Sequence, residues 1–169
     1  PWAAWRVLTE AWPGLKAAQF LAVAAVRMEM LHLRGRIAVA AAASHLAPPA
    51  GLARWRPRRL LRRAARDAST LRGLPLPAAP PLAESLRAGI AEARGDRARA
   101  VRLWREAIDR YDAVHMELHA RSAELHLAGL LTDEDDAHRT RARASVWFAA
   151  QEVAAGARLA DLLMPPARR

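Results

Sequence analysis

Apolar side chains in this chain recur every three or four residues and show no run of strict alternation, the spacing of helices packed on one face. Val101, Trp104, Ile108 and Tyr111 make the clearest stripe, with Ala100 and Ala107 beside it. Residues 2–11 read as the end of a helix, broken by Pro13-Gly14. A long helix is expected from Leu15 to about His45, with Gly35 tolerated inside it or kinking it, and the run 47–51 (APPAG) ends it. Residues 55–72 form an arginine-rich helix with Pro57 in the first turn, where a missing N–H does no harm. Residues 73–81 (GLPLPAAPP) read as a stiff connector. Helices follow over Leu82–Arg94, Arg97–Asp112, His115–Leu131 and from the TDEDD run at 132–136 to about Glu152, with a short last one at Leu159–Met164. Gly95 stops the first of these and Asp96 caps the next.

The expected fold is therefore all-α, a single domain over 1–169 built as a TPR-like solenoid of antiparallel helical hairpins, about seven helices in all. Gly95 and Gly129 stand 34 residues apart, the tetratricopeptide period. In that register Ala88 takes the small packing position of a first helix, and Ala100, Trp104 and Ala107 the small–large–small pattern of a second. The match is partial, because Glu84, Arg87 and Ala91 stand where Trp, Leu and Tyr belong. Gly95, Ala100, Trp104, Ala107, Ile108, Tyr111, Leu127, Leu130 and Trp147 are the residues expected to build the repeat by packing.

Charge changes the picture in one region. The net charge is +10, and residues 1–72 carry all of it, with 13 basic and 3 acidic side chains against 14 of each in residues 73–169. The excess gathers in ARWRPRRLLRRAAR, which supplies Arg54, Arg56, Arg58, Arg59, Arg62, Arg63 and Arg66. Such a set suits an acidic protein partner, or a phosphate backbone with Trp55 available for stacking. As structure it is the solvent face of a helix whose Leu60, Leu61, Ala64, Ala65, Ala68 and Leu71 face inward, and arginine is this chain's default base, Lys16 being the sole lysine. The helix-turn-helix and glycine-rich signatures of nucleic-acid binders are missing from it.

There is no cysteine, which removes disulfides, thiolate metal sites and cysteine nucleophiles and fits a cytoplasmic protein. The longest apolar runs stop short of a membrane span at Arg27 and at Pro48-Pro49, and the start lacks the charged n-region of a signal peptide. The chain opens at Pro1 without an initiator Met, which reads as a segment of something longer.

Candidate chemistry is sparse. HMELHARSAELH sets His115, His119 and His126 on one side of a helix, but seven residues separate the last two, roughly 10.5 Å of rise. Only His115 and His119 could share a metal, and Met116 stands where the zincin signature needs Glu. With His138 the only other nearby histidine, the expectation is no metal site and no cofactor. Trp2, Trp5, Trp12, Trp55, Trp104 and Trp147 read as bulky fillers among alanines rather than as an aromatic cage. The TDEDD run lacks EF-hand spacing and reads as a helix cap. Ser44, Ser69, Ser85, Ser122 and Ser145 lie outside any G-x-S-x-G context, and no P-loop, H-R-D or D-F-G occurs. No catalytic role is expected of this segment.

AEARGDRARAVRLWREAIDRYDAVHMELHARSAELHLAGLL resembles the C-terminal helical-repeat region of large multi-domain bacterial serine/threonine protein kinases and related ATPase regulators, of the myxobacterial type. The residues that carry the resemblance are Leu86-Arg87-Ala88-Gly89, Arg94-Gly95-Asp96, Arg99-Ala100, Ala107, Tyr111-Asp112-Ala113, Met116, Leu118-His119 and Leu127 to Leu131. Near the end, Trp147, Phe148, Gln151, Arg158, Leu162, Met164 and Pro165 are similar to that family's ending. TDEDD, where a glycine pair is usual, and the arginine density of the first half depart from it. The resemblance implies a non-catalytic protein–protein interaction or regulatory segment, whose partner is another domain of its own chain or a signalling protein. The competing expectation is a nucleic-acid-associated regulator using residues 54–72.

Overall fold

The computed structural model describes residues 1–164; Pro165, at the end of the family-like tail, lies outside the described residues. Its helices are α1 (Trp2–Ala17), α2 (Ala24–Ala43), α3 (Pro57–Arg72), α4 (Ala79–Ala93), α5 (Arg97–Ala113), α6 (Glu117–Ala128), α7 (Glu134–Ala150) and α8 (Gly156–Leu163), with a 3-10 turn at Phe20–Ala22. No strand occurs among the described residues. Helices α2–α3, α4–α5 and α6–α7 pack as three successive hairpins, α3–α4 and α5–α6 join them, and α2 also touches α4. The described residues thus form an all-α hairpin solenoid, with eight helices among them against about seven expected. The hairpins recur at wider spacing than the Gly95–Gly129 interval, since α4 and α6 begin at Ala79 and Glu117.

Alanine lets the helices approach. Ala79, Ala83, Ala88, Ala100, Ala107, Ala120 and Ala123 are wholly enclosed, and Trp104 and Tyr111 fill the space between them. A second cluster joins Trp2 and Trp5 of α1 to Val39 of α2 and to Leu60, Leu61 and Ala64 of α3. Of the glycines, Gly35 in the middle of α2 is the most tightly faced: an ideal Cβ there would lie 2.5 Å from Cδ1 of Leu86 on α4. Helix α2 runs through Gly35 without ending there, and the missing Cβ admits Leu86.

Four expected boundaries moved. Helix α1 runs through Pro13 to Ala17. Proline removes the bond to the Thr9 carbonyl, but Pro13 is exposed and water can take that carbonyl, while buried Trp2, Trp5 and Leu8 hold the helix. The break falls instead at Gln19, whose φ of 57° is left-handed, so the long helix begins at Ala24 rather than Leu15. The connector 73–81 is shorter than expected, because Pro80 and Pro81 sit in the first turn of α4, where backbone N–H groups have no helical partner anyway.

The fourth shift removes the histidine stripe. His115 has φ 58° and lies in the turn, and α6 starts at Glu117. The Met116 N–H donates to the Tyr111 carbonyl at 2.9 Å, the bond that Asp96 makes to Ala91 (3.0 Å) beyond Gly95 at the end of α4. His115 therefore does at α5 what glycine does at α4. Two caps stand as read: Asp96 accepts from Arg99 N at 3.2 Å, and Asp133 accepts from Asp135 N and Asp136 N.

Candidate anion-binding surface

Along α3 the side chains divide by angle. At about 100° per residue, Arg58, Arg59, Arg62 and Arg66 share an arc of roughly 100°, while Leu60, Leu61, Ala64, Asp67, Ala68 and Leu71 lie opposite. The first four are exposed and the second six buried. Arg54 and Arg56 precede the helix and are exposed, and Arg63 is half-buried. Arg59 and Arg62 donate to the carbonyls of Arg54 and Arg58, both at 3.3 Å. Among the described residues none of these seven arginines has an ion-pair partner.

The one carboxylate on α3 is used inward. Asp67 takes a bidentate bond from Arg34 of α2, at 2.9 and 2.6 Å, and Arg34 lies 3.4 Å over the Trp12 ring. Burial pushes the Asp67 carboxyl above its ordinary range, and Arg34 first, then the charges of Arg63 and Arg66, pull it back. Trp55, expected to be free for stacking, instead meets the Trp5 ring edge-on with centroids 5.0 Å apart. It belongs to the α1–α3 core.

Later in the chain several arginines are paired, while the exposed Arg94, Arg97, Arg99, Arg102 and Arg110 form no ion pair among the described residues. Arg105 and Arg139 pair with Asp136, and Arg121 reaches Asp112 and, at 2.8 Å, Glu124. Arg143 also pairs with Glu124, which is fully enclosed; burial raises its carboxyl and the two guanidinium groups hold it down.

At the edge of the α3 arc lies a cavity of about 310 Å³ between α3, α4 and α5. Ala65, Ala68, Ser69 and Arg72 of α3 form one wall, and Arg87, Ile90 and Ala91 of α4 another, with Arg94, Asp96 and Arg99 at the turn. Buried Glu84 lies behind, accepting from Arg87 at 2.6 Å and from Arg72 at 3.4 Å. This grouping is invisible along the chain, because its arginines come from α3, α4, the turn after α4 and α5, and none lies in the 54–66 run.

Deeper in the molecule, His32, Arg36, Ser85, Tyr111 and His119 gather where α2, α4, α5 and α6 meet. His32 Nε2 is 3.4 Å from Ser85 Oγ, and the Tyr111 and His119 rings are 5.3 Å apart. Burial, then the charge of Arg36, holds both imidazoles below their ordinary pKa, and burial pushes the Tyr111 hydroxyl up. Arg36 donates to the Leu162 carbonyl and so ties α8, which packs on α6, across to α2. His126 meets Glu92 at 2.8 Å beside the Trp104 ring, an α6–α4 tie.

Of the residues expected to pack, Ala100, Trp104, Ala107, Ile108, Tyr111 and Leu127 are buried and Leu130 is half-buried. Gly95 is exposed, with φ 81° at its turn. Trp147 is half-buried and its indole N–H donates to Glu117 at 3.1 Å, while its neighbour Phe148 occupies the core. No helix among the described residues is long and apolar enough to cross a membrane. Comparison with protein-family models, curated proteins and solved structures found no match to this chain.

Proposed function

We propose that this chain is a non-catalytic interaction module of a larger bacterial signalling protein, binding an acidic protein segment through the arginine face of α3. One observation carries the reading: seven arginines crowd into thirteen residues with no carboxylate among them, and none forms an ion pair among the described residues. Unpaired charge of one sign raises the local concentration of an oppositely charged partner and speeds its encounter. A rigid hairpin stack holds such a surface in fixed geometry. The resemblance to the helical-repeat tails of serine/threonine kinases and ATPase regulators supports a cytoplasmic regulatory setting, with the acidic segment on another domain of the same protein or on a signalling partner.

Trp55, the one aromatic ring among these arginines, is half-buried against Trp5 with the Arg54 guanidinium 5.8 Å from its centroid, which favours a protein partner over nucleic acid. The test is fluorescence anisotropy with a labelled glutamate-rich helical peptide and a labelled DNA duplex of equal charge, across a salt series. The reading expects the peptide to bind about tenfold tighter than the duplex at physiological salt, a gap of about 1.4 kcal/mol. A duplex preference with a steep salt slope would move the function to nucleic acid.

A further inference from the structure

The cavity beside the arginine face has more donors than the protein uses. Glu84, buried behind it, accepts one contact from Arg72 and one from Arg87. Each guanidinium carries five N–H donors, so both retain most of theirs. Arg94 and Arg99 have no ion pair among the described residues, and the Asp96 carboxylate is already the cap of α5. Four guanidinium groups against Asp96 and Glu84 leave two positive charges around the cavity.

We infer that this cavity binds a phosphate monoester dianion, presented as a phosphorylated side chain of a protein segment. Charge and donor geometry point the same way: a phosphomonoester carries about −1.5 to −2 and three strong acceptor oxygens, where a carboxylate offers two oxygens and one charge. Glu84 already supplies a carboxylate that holds Arg87 at 2.6 Å and draws Arg72 to 3.4 Å before any ligand arrives. Ser69 adds a hydroxyl. Ala65, Ala68, Ile90 and Ala91 give the wall an apolar floor for the carbon stem of a phosphorylated residue. The volume exceeds what a bare phosphate needs, which favours a side chain over the free ion. The inference deepens the proposed function: the acidic segment would lie on α3 and place one phosphorylated residue in the cavity.

The experiment uses the whole chain and a fluorescein-labelled peptide of alanine, glycine and one phosphoserine, with its unphosphorylated twin and inorganic phosphate as competitor. Wild type is compared with Arg94→Gln/Arg99→Gln, both at exposed positions, and with Glu84→Gln, each checked for an unchanged helical spectrum. Expected are at least about tenfold tighter binding of the phosphorylated peptide, loss of that gap in Arg94→Gln/Arg99→Gln and its reduction in Glu84→Gln. A gap under twofold, or one that survives in Arg94→Gln/Arg99→Gln, overturns the site. Inorganic phosphate displacing the peptide at or below the peptide's own concentration overturns the assignment to a protein segment. The glutamate-rich peptide separates the two readings: if it still binds the α3 face while the phosphate gap is absent, the cavity inference alone fails.

Discussion

Gly35 is held by what faces it. Any Cβ there would meet the Leu86 side chain at 2.5 to 2.9 Å, closer than packed carbons come. Gly35→Ala gains helix propensity, about 1 kcal/mol, but must push Leu86 or separate α2 from α4, at about 1–3 kcal/mol. The expected outcome is a net loss of about 1 kcal/mol by urea denaturation, and a double variant with Leu86→Ala that loses less than the sum of the singles. His32 and His119 set a second residue-level property. Their pKa values are lowered in the folded chain, so the unfolded chain binds protons first as pH falls below about 6.5. Their contribution is full above that pH and is lost below it. Asp67 and Glu124 act oppositely and at more acidic pH, since their raised carboxyls favour the fold as they protonate. Thermal melts should fall by a few degrees from pH 7.5 to 5.5, and His32→Gln should flatten that fall.

At the scale of elements, the start and end signals with a chemical mechanism were legible and those set by tertiary contact were not. Pro57 opened α3 and Asp96 opened α5 as read, because each acts through its own backbone or side chain. The end of α1 was misread because Pro13 looks like a stop and Gln19, which is one, does not. Gln19, His115 and Glu152 all take positive φ without being glycine, at a cost of about 1–2 kcal/mol each that only the packed neighbours can offset. The same limit applies to Trp147 and Phe148. Both are aromatic and adjacent, and only the docking of α8 shows which turns inward: a Cβ on Gly156 would sit 2.7 Å from the Phe148 ring. Phe148→Ala should cost about 3–5 kcal/mol, against about 1 kcal/mol for Trp147→Ala, by denaturation of the two variants side by side. Equal losses would mean that α8 does not lean on that ring.

Across the whole molecule the basic excess resolves into arginines that hold the fold and arginines that do not. Arg34 fixes Asp67, and Arg121 and Arg143 neutralise enclosed Glu124; these guanidinium groups offset buried carboxylate charge, and removing them would leave a charge in the core. The α3 set makes no ion pair, although the charges of Arg63 and Arg66 help hold the Asp67 carboxyl down. Its position was legible in the sequence as a run of charge on one helical face. Its lack of partners was not, since that depends on where every carboxylate ends up, and neither was the cavity beside it, whose walls come from separate helices. The most direct test of the central claim compares two variants with the same change in charge: Arg58, Arg59, Arg62 and Arg66 to Gln, and Arg102, Arg105, Arg110 and Arg139 to Gln. Binding of a glutamate-rich peptide should fall more than tenfold in the first with its melting temperature nearly unchanged, and less than threefold in the second. Equal losses in the two, or no loss in the first, would show that α3 is not the binding face.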